Sequence, residues 1–302
     1  MELLNRIVAV VSAIAICTIA SAQSPDSVNL HILLTNDDGY DAPGLMAMHD
    51  GLVKAGHRVT IVAPAEPQSG SSVRISGGPF TVLEKGDDAW TVTGSPADCV
   101  LIGLHHVLND DRPDLVISGP NFGTNLSVAS NSSGTLGAAV AAMTEGVPAF
   151  AVSVGINMQE RSTGFQSTIN AFAESAGFVS SLIDVLHDTR ANSEEQLLPE
   201  HTLLNINYPA LAPADIKGVR CTQLSRLSPY RWSYRETSEP GVLARRIAIE
   251  YTDTSETADT TWFARGYITL SPLDGDWSAD TETLGPLRER MADLPVPGLP
   301  DQ

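Results

Sequence analysis

Residues 32–44 read Ile32-Leu33-Leu34-Thr35-Asn36-Asp37-Asp38-Gly39-Tyr40-Asp41-Ala42-Pro43-Gly44. Three strand-forming apolar residues stop at a cluster of small polar and acidic ones, and a proline stands where a helix can begin. This is the pattern of a buried strand that delivers Asn36, Asp37 and Asp38 to a loop at its carboxyl end. Open α/β sheets bind ligands in the crevice outside those ends, where two adjacent carboxylates suit a divalent cation. The bland alternative is a plain turn, since Asp favours turns and Gly accepts φ > 0.

Working outward, Leu45, Met48 and Leu52 recur at helical spacing between Pro43 and Gly56, the punctuation expected at the two ends of a helix. His57 to Ala63, with Val59, Ile61 and Val62, reads as a second buried strand. Strand, helix and strand with short joints form a βαβ unit, which makes the sheet parallel and the crossover right-handed. The next loop, Pro64 to Gly78, carries Ser69, Gly70 and Arg74 and starts at the same edge of the sheet. Loops of that length in compact domains are commonly functional, although a Ser/Gly connector reads the same way.

Phe80–Leu83 and Trp90–Val92 read as a hairpin, and Ser95-Pro96-Ala97-Asp98 as a helix start with a capping box. His105 and His106 at that helix's end fit the helix dipole better than a metal. Leu115–Ser118 is another strand, followed by Gly119-Pro120-Asn121-Phe122-Gly123-Thr124-Asn125. Ser133-Gly134-Thr135 then opens an Ala/Gly-rich helix to Thr144, whose N-terminus offers N–H groups to an anion or simply caps itself. Pro148–Val154 is a strand, Phe165–Leu186 a long helix and Leu203–Asn207 a short strand. Beyond Gly218 the runs Val219–Leu224, Tyr230–Tyr234, Ala244–Glu250 and Tyr267–Leu270 read as antiparallel hairpins without intervening helix, available to pair with another subunit. The division expected is 1–22 signal peptide, 23–217 α/β core and 218–302 β-rich oligomerisation region and tail.

The signal peptide rests on Arg6, the apolar stretch Ile7–Ile19 and the small residues Ala20-Ser21-Ala22, with cleavage after Ala22. The apolar stretch is short for an anchor, and Ile16 before Cys17 argues against a lipoprotein. Export, to the periplasm or beyond, and no membrane attachment after cleavage are the expectations. The full chain has 302 residues and a formal charge of -18, and the excised stretch removes one charge of each sign. Such acidity opposes broad nucleic-acid binding, so a phosphate-bearing substrate needs local help from a cation and backbone N–H groups. Cys99 and Cys221 read as free thiols in preference to a disulfide.

Several motifs stand in one order: Leu34-Thr35-Asn36-Asp37-Asp38-Gly39, Val62-Ala63-Pro64 with Ser69-Gly70, Gly94-Ser95-Pro96-Ala97-Asp98-Cys99, Ser118-Gly119-Pro120-Asn121 with Gly123, and Ser133-Gly134-Thr135. Leu204-Asn205-Ile206-Asn207 with Pro209 and Gly266–Leu273 follow. The set resembles the SurE family of nucleotidases, also called stationary-phase survival proteins, from about Leu30 to Leu273. The resemblance implies an α/β, Rossmann-like three-layer α/β/α core with a parallel sheet, followed by β-hairpin oligomerisation elements of a dimer or tetramer.

It also implies a metal-dependent phosphomonoesterase acting on nucleoside 5′- and 3′-monophosphates, with one Mg²⁺ or Mn²⁺ per subunit held by Asp37, Asp38, Ser69 and Asn121. All four are oxygen donors, as a hard cation prefers. Asp37 and Asp38 are then the catalytic pair. Asn36, Ser133, Gly134 and Thr135 are expected to hold phosphate. A broad-specificity phosphatase or exopolyphosphatase and an exported, non-catalytic nucleotide-binding protein are the alternatives. Family members usually carry aliphatic residues or alanine at the positions of Pro120 and Phe122 and tyrosine at that of Ser132, which bears on how base or sugar is held.

Overall fold

The computed structural model describes residues 28–192, 195–278 and 281–291; the expected signal peptide lies outside the described residues. In chain order the elements are β1 (His31–Thr35), α1 (Pro43–Lys54), β2 (Arg58–Pro64), β3 (Val82–Gly86), β4 (Ala89–Val92), α2 (Pro96–Ile102), β5 (Leu115–Phe122) and α3 (Gly134–Thr144). Then come β6 (Ala149–Val154), α4 (Gln166–Asp188), β7 (Leu203–Tyr208), β8 (Val219–Cys221), β9 (Tyr230–Glu236), β10 (Leu243–Ile249), α5 (Asp259–Ala264), β11 (Ile268–Leu273) and α6 (Thr281–Arg290).

Side chains alternate across a strand, and here both faces are apolar. Ile32 and Leu34 of β1, with Leu115 and Ile117 of β5, pack beneath α1 and α4 against Leu45, Met48, Phe172 and Val179. Leu33 and Val116 point the other way, into the layer of α2 and α3 with Val100, Ala138 and Ala142. The central strands are therefore buried on both sides, which makes three layers. Each fully buried Leu or Ile is worth about 1.5–3 kcal/mol over an exposed one.

The main sheet runs β3-β4-β2-β1-β5-β6-β7-β11-β8. Strands β4, β2, β1, β5, β6 and β7 are mutually parallel. The chain moves from β1 to β2 on one side and returns to place β5 on the other side of β1. That reversal opens a crevice between the carboxyl ends of β1 and β5, the place where such sheets bind ligands.

The region after Gly218 differs from the expected series of hairpins. Among the described residues there, only β9 and β10 form one, paired in register from Tyr230–Ile249 to Glu236–Leu243. Strand β11 instead pairs antiparallel with β7, and β8 pairs parallel with β11, so both extend the core sheet. A short helix, α5, was also missed. Its six residues carry too little periodicity to show, and it is fixed from outside: the buried Asp259 carboxylate accepts the N–H groups of Ser127 at 2.7 Å, Ser225 at 3.0 Å and Thr260 at 2.7 Å.

The long loop between β2 and β3 is pinned at both ends. Ser95 caps α2 through Asp98 N–H, and Asp98 returns the bond to Ser95 N–H at 2.8 Å. Asp98 further accepts the N–H and hydroxyl of Ser76 at 2.9 and 2.7 Å, while the Ser95 hydroxyl donates to the Arg74 carbonyl. Burial alone would lift the Asp98 carboxyl; the donors outweigh it and hold the group below its ordinary value. Asp98→Ala removes the reciprocal cap and the loop anchor together, and a loss of about 1–2 kcal/mol in chemical denaturation is the expected outcome.

Candidate active site

The β1 loop turns tightly. Asn36 Nδ2 donates to the Gly39 carbonyl at 2.9 Å, and Gly39 sits at φ +99, a conformation open to glycine. Asp37 is thereby pushed inward, 3% exposed, where its Oδ1 accepts the Thr135 hydroxyl at 2.7 Å. Gln68 N–H donates to the Asp37 carbonyl at 2.8 Å and so fastens the β2–β3 loop to the same turn. Asp38, half-buried, accepts Phe122 N–H at 2.8 Å from the end of β5.

On the other side of the crevice, the pairing of β5 with β6 shifts register between Ser118 and Asn121. Bulges of this kind re-aim side chains beside active sites. Asn121 Nδ2 donates to the Gly123 carbonyl at 2.7 Å, which leaves Oδ1 as its amide atom for a ligand. Helix α3 begins with Ser133 as N-cap, its hydroxyl accepting Leu136 N–H at 3.1 Å. Gly134 follows because a Cβ there would collide with Ser71 Oγ and stand 2.9 Å from Asp37 Cβ and 3.0 Å from Asp37 Oδ2.

One cavity of about 1270 Å³ gathers Asp37, Ser69, Asn121 and Ser133. Asn36 and Thr135 are fully buried behind it. The Asn36 amide nitrogen closes the turn and the Thr135 hydroxyl holds Asp37, so these side chains support the carboxylate instead of lining the cavity wall. Asp38 is tied to the opposite strand, bridging the crevice. His105, by contrast, lies on the surface with its Nε2 2.9 Å from Glu145, away from this chemistry. Cys99 is buried and Cys221 exposed, both as free thiols.

Burial lifts the Asp37 carboxyl to about 6 from its ordinary 3.8; the Thr135 hydroxyl opposes the rise and the Asp38 charge adds to it. Burial raises Asp38 as well, against the Phe122 N–H. No Lys or Arg among the described residues offsets either charge. The adjacent Asp37 and Asp38 carboxylates without a counter-charge, together with the Asn121 and Ser69 oxygens, make a donor set suited to a hard divalent cation.

The sequence did not expose what holds the far wall. Asn125 N–H donates to Asn207 Oδ1 at 2.8 Å, its Nδ2 reaches Ser153 Oγ at 2.8 Å, and its carbonyl accepts the Asn205 and Asn207 amides at 2.9 and 3.1 Å. The alternation of Asn205 and Asn207 on one face of a buried strand was the available signal. Tyr230, Trp232, Tyr251 and Phe263 also line the cavity, from segments that read only as a β-rich appendage.

A carboxylate pair facing a helix N-terminus across the switch point of a parallel sheet defines an α/β protein that can hold a cation and an anion side by side. A family model described as "Survival protein SurE" matches residues 32–231. The "5'-nucleotidase SurE" of Rhodopseudomonas palustris is 34% identical over 267 residues, covering 83% of this chain and 96% of the relative. "5'-nucleotidase SurE 1" of Burkholderia lata is 33% identical over 264 residues, covering 86% and 96%. The crystal structure of the SurE protein from Aquifex aeolicus superposes with a TM-score of 0.70 at 29% identity, covering 86% of this chain and 99% of that one. The chain belongs to the SurE family.

The raised Asp37 carboxyl has a consequence for stability. The folded protein holds this proton more tightly than the unfolded chain, so the contribution is complete below the ordinary value and is lost as pH rises through about 6. Metal-free protein is expected to melt at a higher temperature at pH 5 than at pH 7. Asp37→Asn should make that dependence shallower and stabilise the metal-free protein at pH 7 by about 2–3 kcal/mol, read by calorimetry.

Proposed function

We propose that this chain is a phosphoric monoester hydrolase, a 5′-nucleotidase that cleaves nucleoside 5′-monophosphates, and 3′-monophosphates as well, to nucleoside and phosphate. The observation that carries the reading is the convergence of Asp37, Ser69 and Asn121 with the α3 entrance at Ser133 in one cavity. The family membership and the 5′-nucleotidase names of its relatives support it.

Asp37, Asp38, Ser69 and Asn121 would hold one Mg²⁺ or Mn²⁺. Such a cation would supply Lewis-acid polarisation of a phosphoryl oxygen and acidification of a water nucleophile. The chain's own work is orientation. Gly134, lacking a side chain, lets the first turn of α3 close against Asp37, and the helix dipole at that terminus would favour the charge of phosphate oxygens held beside Ser133. The Ser133 hydroxyl is engaged in capping, so its contribution is to fix that turn. Thr135 keeps the Asp37 carboxylate in one orientation, and Phe122 N–H does the same for Asp38. With Asp37 nearly sealed from solvent and its Oδ1 engaged, hydrolysis by water fits better than a covalent aspartyl-phosphate.

Export after cleavage near Ala22 would place the activity outside the cytoplasm, where it could recover phosphate from nucleotides, with a dimer or tetramer as the working form. Phosphate release from a panel of nucleoside 5′- and 3′-monophosphates tests the activity. Chelation should abolish release and added Mg²⁺ or Mn²⁺ restore it. Asp38→Ala should lower it by at least the roughly 10- to 100-fold that loss of a mere supporting partner of a metal ligand costs. A folded, metal-loaded protein that releases nothing from the panel overturns the reading.

A further inference from the structure

The cavity has two chemically different ends. Asp37, Ser69 and Asn121 mark the polar end, while the base of the β9–β10 hairpin closes the other. Hairpin register places Tyr230 opposite Ile249 and Trp232 opposite Ile247, so these four side chains share one face, and all four line the cavity. At about 1270 Å³ the space exceeds the roughly 300–1,000 Å³ of ordinary small-ligand pockets, so a ligand with its phosphate at the polar end has room to extend to the aromatic one.

The aromatic wall is not a loose appendage. The Tyr230 hydroxyl donates to the Thr124 carbonyl at 3.0 Å, and Tyr251 reaches the same residue. Thr124 stands three residues beyond Asn121, on the loop that leaves the strand carrying this proposed ligand oxygen. Tyr230 and Trp232 have ring centroids 6.1 Å apart and tilted by 58°, so the two rings form an angled corner. The Arg245 guanidinium lies 5.3 Å from the Trp232 centroid and braces that ring by a cation–π contact. Yet Trp232 remains 52% exposed. A braced indole with surface open beside the cavity has the geometry to stack against a planar group.

We propose that Trp232, with Tyr230, is the base-recognition wall of this cavity: the planar base of a nucleotide stacks on Trp232 while its phosphate reaches the polar end. This rests on the phosphomonoesterase reading and assigns its substrate preference to the hairpin. Stacking reads the π-face that every base presents, so the wall selects nucleotides over base-free phosphate esters without strong choice among bases. Substrate preference therefore resides on β9, far in sequence from the acidic turn.

The test compares a nucleoside 5′-monophosphate with ribose 5-phosphate, which has the same sugar and ester but no base. In the full protein the ratio of kcat/KM values should favour the nucleotide, and Trp232→Ala should reduce that ratio by roughly five- to hundredfold through KM, with Trp232→Phe retaining most of it. Equal loss on both substrates, or a preserved ratio, overturns the proposal; so does a Trp232→Ala protein whose sole change is its oligomeric mass. A second arm uses adenosine alone and reads tryptophan fluorescence. If the parent protein hydrolyses no ester, the enzymatic reading fails, but saturable quenching by adenosine that disappears in Trp232→Ala still upholds the subsite. Absence of quenching in such a protein overturns it.

Discussion

The bond from the Thr135 hydroxyl to the Asp37 carboxylate joins the two halves of the site, and the rest of the arrangement depends on it. It spans 98 residues of sequence and is fully enclosed. A carboxylate buried this far from water is tolerated only when its oxygens find donors, and loss of one partner costs about 1–3 kcal/mol. Satisfying it draws the N-terminus of α3 against the β1 turn, and that approach is possible because residue 134 has no Cβ to collide with Asp37. One hydrogen bond and one missing methyl group thus set the distance between the acidic turn and the helix terminus.

The loops around that contact behave as one hydrogen-bonded body. Gln68 ties the β2–β3 loop to Asp37, Ser72 N–H ties it to the Ser132 carbonyl at 3.2 Å, and Asp98 ties its far end to the α2 cap. Asn125, Asn205 and Asn207 secure the segment after β5, and Asp259 secures its continuation at Ser127. Buried backbone groups outside regular structure need partners, and here side chains from distant strands supply them. That is why polar residues occupy positions on β7 that an all-apolar core would fill more cheaply.

The parts of this design legible in the sequence are those with a local signature. Ile32–Leu34 followed by two aspartates and a glycine gave strand and turn. Ser95-Pro96 with Asp98 gave the capping box, and Ser133-Gly134-Thr135 gave a helix entrance. What escaped was set by contacts between remote segments. Helix α5 is too short to show a period and is held by Asp259; β8 and β11 alternate like hairpin strands but find their partners in the core sheet. Thr135 and Asn36 read as phosphate donors because their types and positions allow it. Their side-chain engagement with Asp37 and Gly39 emerges only when β1 and α3 are brought together.

Charge explains why so much of the fold is spent on holding two carboxylates still. The chain carries a formal charge of -18, and its central pair of aspartates has no basic neighbour among the described residues, so on its own the site would repel a phosphate placed, as proposed, at the α3 terminus. Positive charge would be needed there before an anion is stable, and the same charge would relieve the cost that pushes both carboxyls upward. On the proposed function, cation and anion binding would accordingly be coupled through Asp37 and Asp38. Thr135 and Phe122 hold the two carboxylates in place, through Oδ1 of Asp37 and Oδ2 of Asp38, without any ligand. Little then remains to reorganise when charge arrives, and electrostatic stabilisation works best when the dipoles and oxygens already stand where the charge will develop.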